Sequence, residues 1–149
     1  MGRGSDGGTA RRTFAVGETV ALGGFEVLST TQEAFARELF AALAGGQARQ
    51  VLFANTNFVV QCQPLRERLR VPTLRIVNDG IGMDLAARWL HGRRFPGNLN
   101  GTDLVPWLCA HSPQPLRFFL LGGRPGVAEA AAAVLRGGDG EAGAGTCEG

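Results

Sequence analysis

The side chain best placed for chemistry is a carboxylate on a short glycine-broken turn. Asp79 stands in Asn78-Asp79-Gly80-Ile81-Gly82, directly after the apolar β-type run Thr73 to Val77 and just before a helical stretch. In open α/β sheets the loops at the carboxyl ends of strands line the ligand crevice, so an acid there can take a proton from a bound substrate. A helix cap would look the same locally, because Asp before a helix accepts orphan N–H bonds. Three further polar loops accompany it: Asn55-Thr56-Asn57 after Val51 to Ala54, the stretch Asn98 to Asp103, and Gly122 to Gly126 after Leu116 to Leu121. The last would present backbone N–H groups and a positive helix end, which suits a phosphate or diphosphate. An ordinary tight turn between strand and helix would also have this composition.

Other chemistries are poorly supported. Gly80 and Gly82 begin a dinucleotide pattern, but Leu85 stands where its third glycine or alanine belongs, so a nicotinamide-type oxidoreductase is disfavoured. There is no Walker sequence and no Gly-x-Ser-x-Gly elbow. His91 and His111 lie in separate segments without an acid or nucleophile at suggestive spacing, and read as structural or surface groups. Cys62, Cys109 and Cys147 are odd in number and widely spaced, which indicates a reducing compartment and no zinc site. Asp-x-Asp is missing. Paired carboxylates of that kind hold a divalent cation against a nucleotide diphosphate in many transferases, so here helix dipoles and Arg would have to neutralise the charge.

The elements that must position these residues follow from periodicity and punctuation. Thr19 to Leu22 and Phe25 to Leu28 flank Gly23-Gly24 as a hairpin. Thr30 with Glu33 suggests a capping box that opens a helix through Leu43, with Phe35, Leu39 and Leu43 on one face and Gly45-Gly46 closing it. After the strand Val51 to Ala54, Asn57 is expected to cap a helical run from Phe58, and Pro64 to begin a fresh turn through about Leu69. Met83 to Leu90 reads as a helix whose apolar face is Leu85, Ala86, Trp89 and Leu90. Thr102 is expected to cap a helix from Asp103 to about Ala110, and Pro125 to open one at Val127 to Leu135. Strands alternating with helices at this spacing predict an α/β, Rossmann-like, mainly parallel sheet with helices on both faces and an N-terminal hairpin.

A chain of 149 residues is one domain's worth. Residues 1–17 read as a disordered arm, 18–136 as the folded domain, and 137–149 as a low-complexity tail that supplies no strand and leaves the sheet incomplete. Apolar content of 44% and charge content of 19% suit a soluble globular protein. The net charge is +2, every basic residue is Arg, and no basic run interleaves with aromatics, so nucleic-acid binding is not indicated. No apolar run approaches the roughly 18–20 residues of a membrane span, and a signal-peptide core is missing. Peripheral membrane contact and self-association stay open.

Taken together the loops resemble the ordered motifs of the WecG/TagA/CpsF glycosyltransferases. The similarity lies in Phe53-Ala54-Asn55-Thr56-Asn57-Phe58-Val59-Val60, in Asn78 to Gly82 with Ala86-Ala87-Arg88, in Asn100-Gly101-Thr102-Asp103-Leu104, and in Phe119 to Val127. It runs from about Val20 to Leu135, and its wording is nearest to the exopolysaccharide branch (glycosyltransferase family 26), which includes a xanthan-type glucosyltransferase. The resemblance implies inverting, metal-independent and cofactor-free transfer of a sugar. The donor would be a UDP-sugar and the acceptor a polyprenyl-diphosphate-linked glycan at the inner face of the cytoplasmic membrane. By the same resemblance Asp79 is the general base, and Asn55, Thr56, Asn57, Gly80, Asn100, Gly101, Asp103, Gly122 and Gly123 contact substrate. Asn98 stands where many relatives carry Arg, and Asn55 where many carry Thr. Members continue beyond the matched region, so the chain is expected to be a C-terminally shortened enzyme. The alternative is a non-catalytic remnant or nucleotide-binding module.

Overall fold

The computed structural model describes residues 13–137 and 144–147. The chain forms two compact units, Met1–Gly101 and Thr102–Gly149. The first unit holds a four-stranded sheet in the order β1-β2-β4-β3. Strands β1 (Thr19–Leu22) and β2 (Phe25–Leu28) form the expected antiparallel hairpin, with Thr19 opposite Leu28 and Leu22 opposite Phe25. Positive φ at both Gly23 (56°) and Gly24 (85°) gives the turn the hand that matches strand twist. Strand β4 (Leu74–Asn78) runs parallel to both β2 and β3 (Gln50–Ala54), with Ala54 level with Asn78. The fold is thus α/β with a mixed sheet, parallel except at the hairpin.

Alternation along these strands decides which helix lies where. Val20, Leu22, Phe25, Val27, Ala54, Leu74 and Ile76 point to one face and pack with Met83 and Ala87 of helix α3 (Ile81–His91). Phe58, Val59 and Cys62, in or just beyond helix α2 (Thr56–Gln61), pack against the same cluster. Arg75 points the other way and forms an ion pair with Glu38 (2.7 Å), which sets helix α1 (Gln32–Ala44) on the opposite face. Helices therefore cover both faces, as the spacing predicts.

Several local expectations move by a residue or two. Helix α1 is capped by Thr31, whose Oγ accepts from the Ala34 N–H (3.3 Å), so Thr30 lies outside the cap and Glu33 cannot close a capping box from it. Phe35, Ala36 and Ala42 are its buried residues, whereas Leu43 is exposed. The cap of α2 is Asn55, which accepts from Phe58 N–H (2.9 Å), and Asn57 sits inside the first turn. A 3-10 turn, Gln63–Leu65, begins one residue before Pro64 and ends at Leu65, short of the expected run to about Leu69. Helix α4 (Gly101–His111) starts before Thr102, so Thr102 is not its cap and Gly101, Thr102 and Asp103 are helical rather than looped. On α3 most of the predicted apolar face is turned outward: Leu85, Trp89 and Leu90 are exposed, Ala86 packs against the core, and Met83 and Ala87 are buried.

In the second unit, β5 (Phe118–Leu121) is followed by helix α5 (Val127–Gly137) and by β6 (Ala144–Cys147), which pairs parallel with β5 from Phe118↔Ala144 to Leu121↔Cys147. Pro125 precedes α5 instead of lying in its first turn. The stretch expected to supply no strand therefore completes a β-α-β unit. Small residues such as those of β6 carry no periodicity, and their strand state comes from the partner they pair with.

The expected arm also docks earlier than its composition suggests. Residues 1–12 lie outside the described residues, but Phe14 is buried, its ring tilted against Phe95 with centres 5.4 Å apart and edge-on to His91, with the Arg93 guanidinium 4.3 Å from its ring centre. Glu18 accepts from the Ala15 N–H and pairs with Arg93 (2.9 Å). The bond from Ala15, and then Arg93, hold the Glu18 carboxyl below the usual glutamate range. A depressed folded pKa contributes stability that is present above the unfolded pKa and lost as pH falls through the folded one. Glu18→Gln is therefore expected to flatten the fall in urea midpoint on acidification from neutral pH; curves that stay parallel to the parent's would show that this pairing does not couple to folding.

Candidate active site

Three parallel strands end side by side, and their next residues meet. Where β3 and β4 run out, the Asp79 N–H donates to Ala54 O (2.7 Å), extending the ladder by one step and fixing the backbone of the candidate acid. Gly80 then adopts φ 100° and ψ 162°, a conformation that is essentially glycine-only. It occupies the N-cap position of α3, and no side chain caps that helix. The helix-cap role considered for Asp79 is thus not the one it plays. Its carboxylate is half-buried and makes no hydrogen bond or ion pair among the described residues.

A segment from Gly97 to Gly101 crosses the strand ends in the order β2, β4, β3. Gly97 lies against Thr30 O and Thr31 Cα, where an added Cβ would come to 3.1 and 3.3 Å. Asn98 Oδ1 accepts from the Gly80 N–H (2.8 Å), and the Leu99 N–H donates to Asn78 O (3.0 Å). Gly101 packs on the Phe53 ring, which an added Cβ would approach to 3.3 Å. Asn98 is the residue whose role the pattern of residue types did not reveal. Seen only as a departure from Arg, it is the tie between the crossing segment and the Asp79-Gly80 turn.

The first polar loop joins the same edge. The N-terminal turn of α3 touches that of α2 so closely that a Cβ on Gly82 would fall 2.6 Å from Thr56 Cγ2. Asn55, Thr56 and Asn57 are exposed there, with the Asn55 side chain spent on its cap. Beneath the turn, Asn78 and Ser29 are fully buried, and the Ser29 hydroxyl and both polar atoms of the Asn78 amide have no partner among the described residues. Each such group costs about 1–3 kcal/mol, and polar groups left unpaired in this way collect at functional sites. Asn55, Thr56, Asp79, Gly80 and Gly101 are therefore brought together with Asn98 in the first unit. Asn100 is half-buried in the crossing segment and is partnered.

Asp103, Gly122 and Gly123 belong to the second unit. There Gly122 (φ 101°) and Gly123 (φ 90°) form the turn between β5 and α5, and Gly123 packs on Val127, the first residue of the helix. Gly122 to Gly126, with Arg124, are exposed. Among the described residues no group of three or more His, Cys, Asp or Glu could hold a metal ion. A cavity of about 560 Å³ opens elsewhere, where β2 and β4 diverge from their pairing at Leu28↔Val77; Arg66, Arg70 and Arg75 line it. It includes none of the loop residues above, and its arginines are met by Glu67 and Glu38. The strand-end cluster, with its unpartnered carboxylate, is the better candidate.

The Glycosyl transferase WecG/TagA/CpsF family profile matches residues 20–146, across both units. The chain belongs to the WecG/TagA/CpsF family of glycosyltransferases. No curated protein matches it. Membership bears out the resemblance at family level and defines the chemistry as sugar transfer, with a nucleotide-sugar donor and a lipid-linked acceptor in general terms.

The contact between Gly82 and Thr56 can be tested directly. Alanine at position 82 would gain roughly 0.8–1 kcal/mol of helix propensity but must displace Thr56 Cγ2, an overpacking that typically costs about 1–3 kcal/mol. Gly82→Ala is expected to lower the unfolding midpoint, and Thr56→Ser, which removes Cγ2, to restore most of it in the double variant. Additive effects would mean that the two helix ends are not in contact.

Proposed function

We propose that this protein is an inverting, metal-independent glycosyltransferase of exopolysaccharide assembly, in the xanthan-type branch of its family. It would move a hexose from a UDP-sugar to a polyprenyl-diphosphate-linked glycan, with Asp79 as general base. The observation that carries the proposal is a half-buried carboxylate without a partner on a turn whose backbone is tied on both sides, to Ala54 and to Asn98. A general base needs a placed carboxylate with a free lone pair; the tied backbone and a carboxylate with no partner among the described residues support that role for Asp79.

In the proposed reaction the acceptor hydroxyl donates its proton to the Asp79 carboxylate as its oxygen attacks the anomeric carbon. The sugar–phosphate bond breaks on the opposite face, and UDP leaves with the electron pair. Negative charge grows on the departing diphosphate. Fixed N–H dipoles, such as a helix N-terminus presents, are suited to that charge without reorganising. Thr56 and Asn57 would contact the sugars through exposed polar side chains, and Gly80 and Gly101 would allow close approach of backbone to substrate.

The test is release of UDP from a UDP-sugar in the presence and absence of a polyprenyl-diphosphate-linked saccharide. Release should require the acceptor. Asp79→Asn should lower kcat by about 10²–10⁴-fold, the usual worth of a positioned base, while nucleotide affinity and unfolding midpoint hold. Undiminished turnover in that variant would remove Asp79 from the mechanism.

A further inference from the structure

We propose that the outward face of α3 docks the protein on an anionic lipid bilayer. Ile81, Leu85 and Trp89 recur at intervals of four and form one line along the helix, with 76%, 59% and 85% of their surfaces exposed; Leu90 adds a further 55%. Scattered exposed apolar residues are ordinary, but a contiguous stripe that includes an almost fully exposed Trp marks a surface that something covers. It is not a core face awaiting this sheet, because α3 already buries Met83 and Ala87 there.

Charge selects the occupant. Arg88 is exposed on the same face, seven residues after Ile81 and next to Trp89, and Arg94 is exposed in the segment that follows. The acid of α3, Asp84, is turned inward and accepts from the Phe95 N–H (3.3 Å). The outward face thus combines aliphatic side chains, Trp and Arg without a carboxylate. That is the composition of a helix lying in a membrane interface, where indole sits at headgroup level and the guanidinium meets lipid phosphates. A second copy of the chain is a poorer fit, since a two-fold pairing of the stripe would oppose Arg88 to itself with no acid to meet it. Among the described residues no helix is long and apolar enough to span a membrane, so attachment would be lateral. The stripe begins one residue after the Asp79-Gly80 turn, where a lipid-linked acceptor could offer its sugar while its chain stays in the bilayer. Only this last link depends on the glycosyl-transfer reading above.

The experiment uses the full chain with vesicles of phosphatidylcholine alone or mixed with phosphatidylglycerol. The chain has two Trp residues, so Trp107→Phe leaves Trp89 as the sole fluorophore. Its emission should shift to the blue on mixed vesicles. Co-sedimentation should fall by about tenfold in Leu85→Gln and in Trp89→Ser, and by a few-fold in Arg88→Gln, which should also lose most of its salt sensitivity. Circular dichroism checks that these surface variants remain folded, and Asp79→Asn should bind vesicles like the parent. The proposal is overturned if the parent does not bind mixed vesicles, or if Leu85→Gln and Trp89→Ser bind as well as it does. It is equally overturned if lipid-free sedimentation velocity shows self-association that Trp89→Ser abolishes, which would assign the stripe to a second copy.

Discussion

Parallel strands run out of ladder partners at their carboxyl ends, and the candidate site depends on how those last backbone groups are satisfied. Buried N–H and C=O groups must be paired somewhere. Here the Asp79 N–H is taken by Ala54, the Asn78 carbonyl by Leu99, and the Gly80 N–H by the Asn98 side chain. Each of these bonds spends a group from the chain segment that carries the acid, and none spends the carboxylate. These bonds hold the backbone of the turn, and the carboxylate is not among the groups they use.

The packing of the helices follows from the same edge. Gly80 takes a conformation closed to other residues, which lets the chain leave β4 and enter α3 within two residues. Gly82 then allows α3 and α2 to meet at their first turns, so that the polar loop after β3 lies beside the acid. Thus α3 faces three ways: Met83 and Ala87 toward the core, its N-terminal turn toward the site, and Ile81, Leu85 and Trp89 outward. Ser29 and Asn78, buried and unpaired beneath the turn, are the stability cost of building polar chemistry over an apolar sheet.

Much of this order is legible in residue types. The hairpin is marked by Gly23-Gly24 between two short apolar runs, and its strands fall on the expected residues. Strand-loop-helix alternation implies parallel strands, whose carboxyl ends face one crevice, and that rule alone puts Asn55 to Asn57 beside Asp79-Gly80. Less legible were positions decided by competition between neighbours of similar type. Thr30 and Thr31 are equivalent as caps by residue type, as are Asn55 and Asn57, and in the fold Thr31 and Asn55 take the extended backbone and the side-chain bond of the cap.

The sequence by itself determined the alternation of elements, the polar character of the strand-end loops, the candidate base and the family, because these rest on local propensity and on residues quoted in order. Only the tertiary structure decided what covers what. Periodicity shows that α3 has an apolar side without saying whether it faces the sheet, and the face that packs turns out to be Met83 and Ala87 while Leu85 and Trp89 look outward. The strand β6 exists because β5 offers it a ladder, which no composition of small residues announces. Asn98 acts because a hydrogen bond to Gly80, eighteen residues earlier in the chain, forms only when the crossing segment is laid over the sheet edge. In each case the deciding term is a contact between segments far apart in sequence, and such contacts leave no local pattern to read.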